Sequence, residues 1–267
     1  MITRRTFAAS SLALPLFGKA VPFKLGVASY SLRELPRAEA IAGIKKLDVQ
    51  YVSVKEFHIR YTSTPEEIAA ARREFADAGL KILSGGNIDL KGDDAKLRKM
   101  FEYAKACGMP LMVCAPSHAT LPQVEKLAKE FNIRLAIHNH GPEDKEFPTP
   151  QSVLDAIKGM NSHVGLCIDV GHTARTGADV VESIQLALKA GRLYDMHLKD
   201  LKDMKVSKSQ CIVGQGRMPI RDIFATLQKA GYKGSCMLEY EIDAKNPLPG
   251  MTKSFEYMRK VIAALEI

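Results

Sequence analysis

The sequence has few cysteines and no pattern that would pair them. Cys107, Cys114, Cys167, Cys211 and Cys236 form an odd set without CxxC spacing, which argues against a disulfide framework and against a zinc knuckle. Three of them lie in apolar, strand-like runs, where cysteine acts as a small core residue. A GxGxxG fingerprint is also missing. The first apolar run continues into GVASYSLRELP, and GQGR (214–217) precedes no phosphate-binding helix and reads as a turn. A strong charge excess is missing too. The formal charge is +8, and setting aside Arg4, Arg5 and Lys19 leaves +5, too little for a polyanion footprint, so no nucleic-acid partner is expected.

Those three cations belong to a distinct opening segment. Residues 1–20 read MITRRTFAASSLALPLFGKA: paired arginines, a short apolar stretch, then a small-x-small exit. The stretch is too short to span a bilayer as a helix, so no stable membrane insertion is expected once it is removed. The order of the three parts is that of a twin-arginine export signal, which predicts a periplasmic or otherwise exported protein.

What the chain does have is a repeating strand-then-helix unit. Short runs rich in Val, Ile and Leu occur at 23–30, 49–57, 80–87, 109–116, 133–140, 164–172, 193–200 and 234–241. Helical periodicity fills the gaps, as in TPEEIAAARREFADAG (64–79), where Thr64 can cap, Pro65 takes the first turn and Gly79 closes. Eight such units with no composition break predict a single-domain (β/α)8 TIM barrel over 21–267.

In that barrel, chemistry belongs where the strands end. His138 and His140 end the fifth strand, Asp169 the sixth, His197 and Lys199 the seventh, and Glu239 and Glu241 the eighth. The period of two sets His138 and His140 on one face, likewise His197 and Lys199, and Glu239 and Glu241. Taken singly, each residue has an ordinary role: Asp169 can cap a helix, and Glu239 can pair with Lys199 or Arg217. Four consecutive strands each burying an ionisable group call for a shared explanation. A divalent metal held by His138, Asp169, His197 and Glu239 supplies it.

The motifs IDVGH, MHLKD, GQGRMPIRDIFATLQKAGYKG and CMLEYE, in that order, resemble the xylose isomerase-like TIM-barrel superfamily of sugar isomerases and epimerases, which includes AP-endonuclease barrels. The resemblance runs from about Lys24 to the C-terminus. It implies one divalent metal, manganese first, with zinc, cobalt and magnesium as the other candidates. It places Asp169, His197 and Glu239 among the ligands and His172 against substrate, with Lys199 where polar substrate contacts gather. The sequence departs from the family at Ile137-His138-Asn139-His140, because the family commonly keeps a Glu where His138 stands.

The function expected is a metal-dependent sugar isomerase or epimerase. It would act by proton abstraction next to a carbonyl through a metal-stabilised enediolate. Glu239 is the first candidate base and His140 the second; His172 can orient hydroxyls or carry a proton. Lys55, at the end of the second strand, and Arg217, after the seventh, are candidate substrate contacts. The missing fifth-strand Glu and the export signal favour a close alternative, a lyase or dehydratase that β-eliminates from keto-sugars or 3-keto-glycosides. A non-catalytic exported sugar-binding protein is the third reading. An AP-endonuclease-type nuclease lacks the extra Asp-x-His ligands it needs. The partner expected is a small carbohydrate, with the oligomeric state left open.

Overall fold

Helix starts follow the local chemistry of the sequence. In the computed structural model, which describes residues 21–265, Thr64 accepts from the Glu67 backbone N–H while the Glu67 carboxylate accepts from that of Thr64. This capping box opens the helix Pro65–Asp77. Asp93 and Asp179 cap Asp94–Ala106 and Val180–Lys189 by accepting from the Lys96 and Glu182 backbone N–H groups. The export signal expected over 1–20 lies outside the described residues.

Ten strands are present among the described residues: β1 Lys24–Ala28, β2 Tyr51–Val54, β3 Lys81–Leu90, β4 Leu111–Pro116, β5 Arg134–His138, β6 Val164–Asp169, β7 Leu193–Leu198, β8 Asp200–Leu201, β9 Gln210–Cys211 and β10 Ser235–Leu238. Eight of them close into a parallel barrel in the order β1-β10-β7-β6-β5-β4-β3-β2. With helices between the strands, this is the predicted single-domain TIM barrel. The pair β8–β9, an antiparallel ribbon, was not anticipated. It folds the segment after β7 over the barrel mouth.

Two apolar layers hold the barrel. The larger, between strands and helices, includes Ile44, Phe75, Phe101, Leu135, Ile137, Ile168, Phe224 and Phe255. The smaller gathers Leu111, Val113, Ala136 and Cys167. Alternation sets Ala136 on the face of His138 and Cys167 on the face of Asp169, so this cluster lies inside the barrel beneath the site. All five cysteines are buried free thiols. No described helix is long and apolar enough to cross a membrane.

Candidate metal centre

Strand tilt brings the four candidate positions level. In register, His138 stands beside Cys167, Asp169 beside His197, and His197 beside Met237. Asp169 and Glu239 each lie two residues beyond the register partner of their neighbour. A barrel with tilted strands climbs by about one residue per strand, and an offset of two keeps the side chain pointing inward.

Four donor atoms converge there. His138 Nε2 lies 3.2 Å from His197 Nδ1 and 3.6 Å from Asp169 Oδ2, while His197 Nδ1 lies 3.3 Å from Glu239 Oε2. The whole set fits within 4.8 Å. Tetrahedral ligation with bonds of ~2.1 Å needs donors about 3.4 Å apart, so these residues fit a divalent ion. Asp169 Oδ2 is buried and satisfied by no hydrogen bond, with the Lys199 ammonium paired to it at 3.0 Å. Three carboxylates (Asp169, Glu239 and the partly exposed Glu241) surround a single ammonium, that of Lys199; burial disfavours charge on His197, but Cys167 and Glu239 beside it raise it well above the usual range, and the cluster still keeps a negative excess that a divalent cation would offset. His138, Cys167 and His197 also cluster, but burial pushes the Cys167 thiol up to about 12, so the carboxylate set is the better ligand group.

Two neighbours fix the carboxylates of the cluster. Asn139, alternating to the other face, accepts from the Asp169 backbone N–H at 3.0 Å and donates to Thr173 Oγ1. Asp169 Oδ1 caps the next helix by accepting from the His172 N–H, which leaves Oδ2 for the cluster. Capping and ligation are therefore compatible roles for one carboxylate. Lys199 Nζ lies 3.0 Å from Asp169 Oδ2 and donates to Glu239 Oε2 at 2.8 Å and to Glu241. Burial penalises both carboxylates, but the Lys199 ammonium together with the neighbouring imidazoles (His172 and His138 at Asp169, His197 at Glu239) more than offsets it, holding Asp169 and Glu239 well below the usual range. Burial lowers His138, and it pulls His172 down to about 4, so both imidazoles are neutral.

A cavity of about 230 Å³ faces the cluster, lined by Tyr30, Lys55, Asn87, His138, His140, His172, Glu239 and Glu241. His140 is stationed between His138 and His172, with ring centroids at 5.4 and 4.6 Å. Lys55 reaches the cavity wall, tied to Asn87 O at 2.7 Å and Glu56 at 3.1 Å. Of the residues singled out in the sequence, Arg217 stands apart: it is exposed and lines neither cavity at the barrel mouth. Asn87 was missed. Its Oδ1 is buried without a partner, and the available signal was a polar residue following two glycines where β3 reaches the mouth.

Comparison with known proteins agrees with the barrel fold. A family model described as a xylose isomerase-like TIM barrel matches residues 41–261. An inosose dehydratase of Histophilus somni is 27% identical over 157 residues, 52% of either chain. The rhizopine catabolism protein MocC of Rhizobium meliloti is 28% identical over 158 residues, 52% of this chain and 47% of its own. The chain thus spans about half the length of the curated relatives it matches. Among solved structures, an uncharacterised protein of Parabacteroides distasonis is 26% identical with TM-score 0.69, covering 90% of this chain and 99% of that one. The IolI protein, solved with a bound zinc atom, shares the fold at TM-score 0.75 and 15% identity over 90% of this chain and 98% of its own.

Proposed function

The chain belongs to the xylose isomerase-like TIM-barrel family, and from that premise we propose that it is a metal-dependent lyase of keto-sugars, removing a proton next to a ketone and expelling an oxygen substituent one carbon further on. The ligands would be His138, Asp169, His197 and Glu239. The cation they hold supplies Lewis acidity toward carbonyl and hydroxyl oxygens.

The observation that carries the elimination reading is the unequal pair of walls. Glu239, just past β10, directs Oε2 at the cluster, and its Oε1 makes no hydrogen bond among the described residues. Across the mouth stand the imidazoles His138, His140 and His172. A carboxylate facing imidazoles suits a base on one side and a proton donor on the other. Glu239 Oε1 takes the C–H proton, the freed electron pair forms a C=C bond, and the C–O bond breaks as the departing oxygen takes a proton from His140. Tyr30 and Lys55 narrow the cavity around the ring. The inosose dehydratases among the curated relatives support this order.

Epimerisation or isomerisation, placed first on family frequency in the sequence, becomes the second reading. It needs a base on each face of one carbon, and His138 replaces the glutamate that commonly provides one of them. Incubating the metal-loaded protein with keto-sugars in deuterated water separates the two. Exchange with release of water or an alcohol supports the lyase; exchange with the carbon skeleton and all oxygens retained supports the epimerase. Export to the periplasm remains part of the proposal, resting on the motif in residues 1–20.

A further inference from the structure

We infer that the barrel mouth has a second chamber that receives the unit leaving the substrate: an oxygen-linked sugar ring or a cyclic alcohol of similar size. The inference rests on the keto-sugar reading above. The substrate class it names is a glycoside with two ring units, rather than a single sugar losing water.

The chamber holds about 330 Å³, more than the 230 Å³ of the cavity at the ligand cluster. His172 and Glu241 line both spaces, so the two adjoin across a pair of side chains. Two glycines leave room for side chains of the shared wall to pack closely. A Cβ on Gly171 would sit 2.6 Å from the Lys199 side chain, and one on Gly141 would meet His172 Nδ1 at 3.0 Å.

The lining specifies a neutral ring carrying oxygens. Leu201 and Ile242 give the chamber an apolar face, suited to the C–H side of a sugar. Arg175, only 8% exposed, is anchored to Glu143, yet its Nε–H is buried without any hydrogen-bond partner. A buried donor left unpaired is costly and marks a place where an acceptor belongs. Lys208, also lining the chamber, makes no ion pair among the described residues. A phosphate would suit these two donors, but it would have to lie against Leu201, Ile242 and the Glu241 carboxylate. Hydroxyl and ether oxygens meet the donors without that cost.

The position matters for the chemistry. The bond broken on elimination is the C–O link to the departing unit, and the alcohol must have space beyond the cluster. A single sugar eliminating water would leave the larger chamber unused.

The test compares the 3-keto derivatives of methyl glucoside, maltose and cellobiose on the metal-loaded full chain, reading solvent-deuterium exchange and alcohol release by proton NMR. The expected result is a kcat/KM at least tenfold higher for one of the two-ring ketones. Ser207→Trp, on the exposed turn at the chamber's edge, should erase that advantage and leave the one-ring ketone unaffected. Ile242→Trp is a second filling variant on another segment. Equal kcat/KM for one and two rings, or a filling variant that slows both alike, overturns the chamber. If no ketone reacts although the protein holds its metal, the keto-sugar reading itself fails, and the inference goes with it.

Discussion

His138 Nε2 and His197 Nδ1 face each other at 3.2 Å, buried, from strands on either side of β6. Two imidazole nitrogens this close either share a proton or share a cation. With Asp169 and Glu239 closing the set, the shared cation explains all four side chains together.

Lys199 is the tethered charge of this centre. Its ammonium touches the same Asp169 and Glu239 oxygens that would ligate the metal. Like charges this near repel. Lys199→Met should therefore tighten divalent-metal binding by about tenfold, measured by chelator competition. The metal-free variant should lose about 2–4 kcal/mol in urea unfolding, because two buried carboxylates lose their counter-ion.

Asn139 positions Asp169 from outside the candidate ligand set. Asn139→Ala removes the acceptor for the Asp169 N–H and the donor to Thr173. Metal affinity should fall by about 10–100-fold, and stability by about 1–3 kcal/mol. Calorimetric titration and urea unfolding measure the two effects.

His140 is exposed at the mouth and lies outside the ligand set. His140→Ala should keep metal content unchanged. Alcohol release should fall by about 10²–10⁴-fold if this imidazole donates the proton to the leaving oxygen. A lyase rate close to wild type would move that role to His172.

Acid should destabilise the metal-free protein below the ordinary histidine range. Burial holds His58, His138 and His172 below their free values, His172 at about 4. Between there and the free value of about 6.5, the unfolded chain binds more protons than the folded one. Stability therefore drops as pH falls through this window. His172 alone should contribute roughly 2 kcal/mol between pH 7 and pH 5. Urea unfolding at both pH values should show a correspondingly smaller drop in His172→Gln.

The barrel and the convergence of the four side chains were readable because both depend on period. Eight apolar runs marked the strands, and alternation put His138, Asp169, His197 and Glu239 on the inward face. Tilt then made residues from four strands level, as their register offsets show. The β8–β9 ribbon was not readable, because two-residue strands carry no periodicity. It is set by Asp200, whose carboxylate accepts from the backbone N–H groups of Leu201, Gly214, Gly216 and Met218. The same contacts explain GQGR as a turn. A Cβ on Gly216 would lie 2.2 Å from Asp200 Oδ1. Asn87 escaped notice because an uncharged amide at a strand end gives no electrostatic signal. The commitment of Lys199 to three carboxylates needed side-chain distances.

The most direct test is the metal content of purified protein by elemental analysis, for wild type and for Asp169→Ala and His197→Ala, with circular dichroism to confirm folding. One divalent ion per wild-type chain and none retained by either folded variant is the predicted result. A folded Asp169→Ala or His197→Ala protein that keeps its full complement of metal would contradict the four-strand centre.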